Sequence, residues 1–149
     1  MKKTTIALLA LLCAATTACD RTGGTHFTPA VSPEIRFTGR AVTGEDGSLT
    51  FDWSGSHFTF RFEGRRCAMR LSDTGCDYYN VFVDGRQTAV VTATGADTTI
   101  VLADSLPKGI HTLLVQKRTE GEQGRTTLYG IESDAPLLAL GAFLHEERV

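Results

Sequence analysis

The chain has 149 residues, with 15 Lys and Arg against 17 Asp and Glu and a formal net charge of −2. That length fits one domain with a sizeable core. No basic run exists, which excludes nucleic acid as a partner.

Residues 1–19 read as a secretory leader rather than part of the fold. Lys2 and Lys3 give a positive start, and residues 6–15 are almost wholly apolar but too short to span a bilayer. Thr16-Thr17-Ala18-Cys19 follows, with a small residue before a cysteine. This resembles a bacterial lipobox, with Thr16 where an aliphatic residue is usual. The expectation is cleavage before Cys19, lipidation of Cys19 and a membrane-anchored lipoprotein at the cell envelope. The competing reading is an ordinary signal peptide cut nearby. Residues 20–33 are polar, with Gly23-Gly24 and Pro29, and read as a flexible tether. Taking Lys2 and Lys3 off the 15 basic residues leaves 13 against 17 acidic ones in the exported part.

The domain proper is expected over residues 34–133, built from short strands. Residues 34–38 open it and Gly39-Arg40-Ala41-Val42 follows. Residues 43–48 form a turn cluster. Residues 49–53 alternate apolar and polar, and Ser54-Gly55-Ser56 breaks the alternation. Residues 57–63 give the clearest pattern, with Phe58, Phe60 and Phe62 on one face and His57, Thr59, Arg61 and Glu63 on the other. Cys67, Met69 and Leu71 share a face in the next strand. Asp73-Thr74-Gly75 reads as a turn, and residues 78–83 as a further strand. Asp84-Gly85 is a two-residue hairpin signal, because glycine accepts the positive φ of a type I′ turn. Residues 87–92, 98–103, 111–117 and 126–131 complete the set. Nine or ten short strands at this spacing predict an all-β antiparallel sandwich or jelly roll. Residues 134–149 form an apolar tail, with Leu137, Leu138, Leu140, Phe143 and Leu144, readable as a short helix, a last strand or a contact surface.

Cys67 and Cys76 are the two cysteines of the folded part, in an oxidising compartment where a bridge would persist. If residues 66–71 and 78–83 formed a hairpin, Cys67 would face a residue near Phe82, not Cys76. A disulfide and two free thiols both stay open. Two cysteines without a second cluster make no metal site, and nothing points to a cofactor.

The ordered segments resemble the N-terminal jelly-roll domain of carbohydrate esterase family 2, the acetylxylan esterase type. The matching stretches are Ile35-Arg36-Phe37-Thr38-Gly39-Arg40, Phe51-Asp52-Trp53-Ser54-Gly55, Arg61-Phe62-Glu63-Gly64, Tyr78-Tyr79-Asn80-Val81-Phe82-Val83-Asp84-Gly85, and the stretch from His111 to Lys117-Arg118-Thr119-Glu120. The resemblance covers residues 34–132. It implies a jelly roll that precedes a hydrolase domain of SGNH type, which removes acetyl groups from xylan through a serine acyl-enzyme. The Gly-Asp-Ser segment of that second domain is not in the sequence, and Asp46-Gly47-Ser48 has the letters in another order inside a turn. The sequence runs on through residues 137–149 and stops at Val149. The expectation is therefore a non-catalytic accessory domain, whether a truncated esterase, a stand-alone glycan-binding lipoprotein or a docking module for a separately encoded hydrolase. Its partners would be a xylan-like polysaccharide or an SGNH hydrolase domain.

Six residues stand out for such contacts. Trp53 is either a stacking platform for a pyranose ring or a packing residue. Tyr78 and Tyr79 point to opposite faces of one strand, one buried and one exposed. Lys117, Arg118 and Glu120 follow a strand end, and would bond sugar hydroxyls or the hydrolase domain, or form a local ion-pair set of about 0–1 kcal/mol. His111 reads as a packed, hydrogen-bonded histidine rather than a catalytic one.

Overall fold

The longest elements are two strands that the sequence divides into four. Residues 67–71 and 78–83 are not a hairpin but the two ends of one strand. The turn expected at Asp73-Thr74-Gly75 is an irregularity inside it, with register shifts between Leu71 and Asp73 and between Asp73 and Cys76. The reason is visible in the side-chain parity. Cys67, Met69, Leu71, Asp73, Asp77, Tyr79, Val81 and Val83 are all odd-numbered and all buried, so the period-2 pattern resumes in phase beyond the irregularity around Gly75.

The computed structural model describes residues 24–141 of the chain. The leader, Cys19 and the tail beyond Gly141 lie outside the described residues. The strands are β1 (His26–Pro29), β2 (Arg36–Thr38), β3 (Val42–Thr43), β4 (Leu49–Phe51), β5 (His57–Phe62), β6 (Cys67–Val83), β7 (Arg86–Ala103), β8 (His111–Lys117), β9 (Thr126–Ser133) and β10 (Leu137–Leu138). All pairings are antiparallel. The stretch read as a tether contains a strand, since β1 pairs with β9 from His26↔Ser133 to Pro29↔Gly130. The apolar stretch after residue 134 contributes β10, paired with β5 through Leu137↔Phe62.

β6 belongs to two arms of the sheet. Its first half pairs with β9, which in turn holds β4 and β1. Its second half pairs with β8, which holds β5 and, beyond it, β2 and β10. β7 follows β6 along its length after the Asp84-Gly85 turn, where both residues have positive φ (51° and 78°), as a type I′ turn requires. The arms face each other across a single core. Phe58, Phe60, Phe62, Leu113, Val115 and Val81 from one arm meet Leu49, Phe51, Met69, Leu71, Leu128 and Ile131 from the other. Phe37 of β2 and Phe51 of β4 touch across the gap, with ring centroids 5.0 Å apart. The result is an antiparallel jelly roll, as the strand spacing predicts.

Candidate functional site

The residues singled out in the sequence collect at one end of the sandwich, around the last turn of β8, but in two environments. Tyr79 and Lys117 are interior, each 1% exposed. They are out of reach of a surface ligand, which corrects the expectation of direct contact. Trp53, Tyr78, Arg118 and Glu120 are exposed. Trp53 is 58% exposed and not a core residue, and the Arg40 guanidinium lies 5.5 Å from its ring centroid. Tyr78 and Tyr79 take opposite faces as alternation requires.

The expected local ion pair among Lys117, Arg118 and Glu120 does not form. The Lys117 stem continues the inward parity of His111, Leu113 and Val115, so its ammonium meets Asp77 of β6 instead, with Nζ 2.5 Å from Oδ1 and no exposed side-chain surface on either partner. Nζ also donates to the carbonyl and hydroxyl oxygens of Thr119 at 3.2 and 3.1 Å. Thr119 donates its hydroxyl to Asp77. Beside this pair, Tyr79 Oη lies 2.5 Å from Thr126 Oγ1, and Thr126 donates to Asp73 Oδ2 at 2.7 Å. Asp73 Oδ1 accepts the Gly75 amide at 2.9 Å.

The two carboxylates respond oppositely. Burial pushes Asp73 above the ordinary carboxylate range, and its contact with Asp77 adds to the rise against the hydrogen bonds from Thr126 and Gly75. Burial also acts upward on Asp77, but the bonds from Lys117, Thr119 and Asp73 outweigh it and hold Asp77 below that range. The network therefore holds one carboxylate ready to stay ionised and one ready to keep a proton. The segment 121–125 closes over it: Cys76 N donates to Gln123 O at 3.2 Å and Thr74 N to Arg125 O at 3.1 Å. A Cβ on Gly75 would lie 1.8 Å from Gln123 O, so only glycine lets the backbones meet there. Sequence reasoning missed Asp73, Asp77, Thr119 and Thr126. Inward parity on β6 was the signal available for the two aspartates.

Glu120 accepts from Ser54 Oγ at 2.7 Å, and with Asp52, Trp53 and Glu122 it walls a recess of about 460 Å³. A larger groove of about 740 Å³ lies on the outer face of the arm that contains β5, β8 and the second half of β6, floored by Thr59, Phe82, Leu114 and Gln116 and closed on one side by Leu140 and Gly141. His111 is buried, with Nδ1 2.7 Å from Asp84 Oδ2 and Nε2 2.8 Å from Pro107 O. Both neighbours accept, so these contacts favour the protonated ring, which donates from both nitrogens. The Asp84 bond and the Pro107 carbonyl raise its pKa above the ordinary histidine value. It is the packed histidine expected from the sequence. Cys67 is buried and Cys76 exposed, both as free thiols. Among the described residues no group of three or more His, Cys, Asp or Glu is placed to hold a metal ion.

The fold that carries these features is an all-β antiparallel jelly roll. The family model described as "Carbohydrate esterase 2 N-terminal" matches residues 37–140, and the chain belongs to that family. It is 27% identical over 116 residues to the acetylxylan esterase / glucomannan deacetylase of Cellvibrio japonicus, a match over 74% of this chain and 32% of that protein. The solved family two carbohydrate esterase from Cellvibrio japonicus superimposes with a TM-score of 0.71 at 23% identity, covering 76% of this chain and 34% of that one. The chain thus spans about a third of these esterases. The carbohydrate-binding module CBM36, solved in complex with calcium and xylotriose, shares the fold at a TM-score of 0.55 and 11% identity, over 74% of this chain and 99% of the module.

Proposed function

We propose that this jelly roll is a non-catalytic part of a carbohydrate esterase system, exported and associated with polysaccharide rather than acting on it. The observation that supports this best is the extent of the family match. It takes in the fold from β2 to β10, while the sequence offers no Gly-Asp-Ser segment and the structure commits both nitrogens of His111 to Asp84 and Pro107. The likeness to a module solved with xylotriose supports a xylan-type partner. Purified protein is expected to release no acetate from acetylated xylan and no p-nitrophenol from p-nitrophenyl acetate, yet to be retained on xylan in a pull-down. Turnover well above the uncatalysed rate would refute the non-catalytic reading. Passage through xylan, mannan and cellulose without retention would refute the carbohydrate association.

A second reading has the domain dock a separately encoded SGNH hydrolase. It is favoured by Leu140 and Gly141, which bring the chain to the lip of the 740 Å³ groove, so that a domain joined or bound there would sit beside it. Co-purification with such a hydrolase, lost on substituting Leu140, is its test. Anchoring rests on the leader alone: incorporation of a palmitate analogue, abolished by Cys19→Ser, is the expected outcome.

A further inference from the structure

We infer that the glycan site is the groove on the outer face of β5, β8 and β6, not the Trp53 end of the sandwich. This rests on the carbohydrate reading above and names the surface and the ligand class.

The face is built by register. Thr59 of β5 is paired with Leu114 of β8, and Leu114 with Phe82 of β6, which sets an apolar platform across three strands. One step along, Gln116 is paired with Asn80. Asn80 Nδ2 donates to Gln116 Oε1 at 3.4 Å, and Gln87 Nε2 donates to Asn80 Oδ1 at 3.1 Å, giving a row of planar amides beside the platform. That bond uses the Gln116 oxygen and leaves its NH₂ group to donate. On the other side, Arg61 and Thr112 are paired. An apolar strip between two rows of donors and acceptors matches a pyranose ring, which is apolar on its C–H faces and polar at its edge. Thr59, Phe82, Leu114 and Gln116 are half-exposed, so the floor is accessible. A volume of about 740 Å³ lies in the range of small-ligand sites. Arg61 and Asp84 both line the groove, which therefore carries charge of both signs. The ligand is therefore a neutral polysaccharide segment.

The Trp53 end fits this chemistry less well. Arg40 lies over the Trp53 ring, and the recess beside it is walled by three carboxylates, Asp52, Glu120 and Glu122. Tyr79 and Lys117 have no surface to offer.

The test is calorimetric titration of the full-length chain with xylohexaose and cellohexaose. Wild type should bind at least one of the two hexamers. Phe82→Ala and Gln116→Leu should each weaken binding about fivefold or more, whereas Trp53→Ala should change it less than twofold. Unfolding midpoints check each variant; if Phe82→Ala is unfolded, the near-isosteric Gln116→Leu decides. Binding that survives both groove substitutions, or is lost in Trp53→Ala, overturns the groove assignment and leaves the carbohydrate reading intact. No binding of any hexamer by folded wild type overturns the carbohydrate reading itself. A hydrolase domain whose docking, unlike any sugar, depends on Phe82 and Gln116 would reassign the groove to a protein partner.

Discussion

Replacing Lys117 by Met isolates the buried ionic network. The thioether chain refills the space of the lysine stem, and the ammonium that lies 2.5 Å from Asp77 Oδ1 is removed. Asp77 keeps its bonds to Thr119 and its longer contact with Thr126, but loses its cation with no solvent to replace it. Removing one partner of a buried pair costs about 3–5 kcal/mol, because the other charge is left uncompensated. In a domain of this size that is a fall in Tm of roughly 10–20 °C. The double variant Asp77→Asn/Lys117→Met removes both charges and is expected to recover most of the loss, since an apolar substitute for a buried pair is often neutral or stabilising. The cost also depends on pH. Asp77 has a lowered folded-state pKa, so its pairing contributes fully above the ordinary aspartate value of about 3.9 and fades as pH falls through the folded value. The gap between wild type and Lys117→Met should therefore narrow below about pH 4. Urea unfolding followed by circular dichroism at pH 7 and at pH 3 measures both effects. A single variant within about 1 kcal/mol of wild type at pH 7, or a double variant no better than the single one, would refute the reasoning.

Asp73 carries the opposite shift, raised by burial and by Asp77. Its proton-bound form favours the fold, and that contribution is lost as pH rises through the folded pKa. Asp73→Asn keeps an acceptor for Gly75 N and puts an amide donor beside Asp77, but loses the oxygen that accepts from Thr126. The two effects offset, so it should stay close to wild-type stability at pH 7 and fall below it in acid, where a protonated Asp73 keeps both bonds, as read from urea midpoints across pH 3–8. His111 has a raised pKa from Asp84 and Pro107, so its bond stabilises fully below about pH 6.5 and is lost as pH rises through the folded value; Asp84→Asn, which tolerates the positive φ there, should flatten that part of the stability profile. Burial pushes the Cys67 thiol up to about 12, while Cys76 is exposed. Labelling of the folded domain at pH 8 should therefore modify Cys76 at once and Cys67 only after denaturant is added.

The fold was legible because alternation survives wherever a strand has one buried face. The run Phe58, Phe60, Phe62 and the Asp84-Gly85 turn gave β5 and the β6–β7 hairpin directly. What misled was chemistry at inward positions. Asp73, Thr74 and Gly75 read as a turn because those residue types favour turns, yet Asp73 shares the inward parity of a core strand with Asp77. Likewise Lys117 reads as a surface cation by type and is interior by parity. Glu120 and Arg118 are exposed as expected, but the partner of Lys117 comes from a strand some forty residues earlier, a pairing that local sequence does not encode. β1 was hidden for another reason. Only Thr28 of its four residues is even half-buried, so no apolar period marks a strand that is held by backbone pairing with β9.

The irregularity in β6 explains why so polar a cluster is kept inside. β6 must serve both arms, and where it passes from β9 to β8 its pairing shifts register, leaving backbone donors at Thr74, Gly75 and Cys76. Each finds a partner at once: Thr74 and Cys76 bond Arg125 and Gln123 of the 121–125 segment, and Gly75 bonds Asp73. An apolar residue at 73 would pack but would leave the Gly75 amide without its partner. Asp73 is therefore tied to the bend, and Asp77, with Lys117 behind it, to holding the next strand turn against β8. The charged cluster fixes where the sheet divides, and with it the three-strand face of β5, β8 and β6 on which the groove is laid.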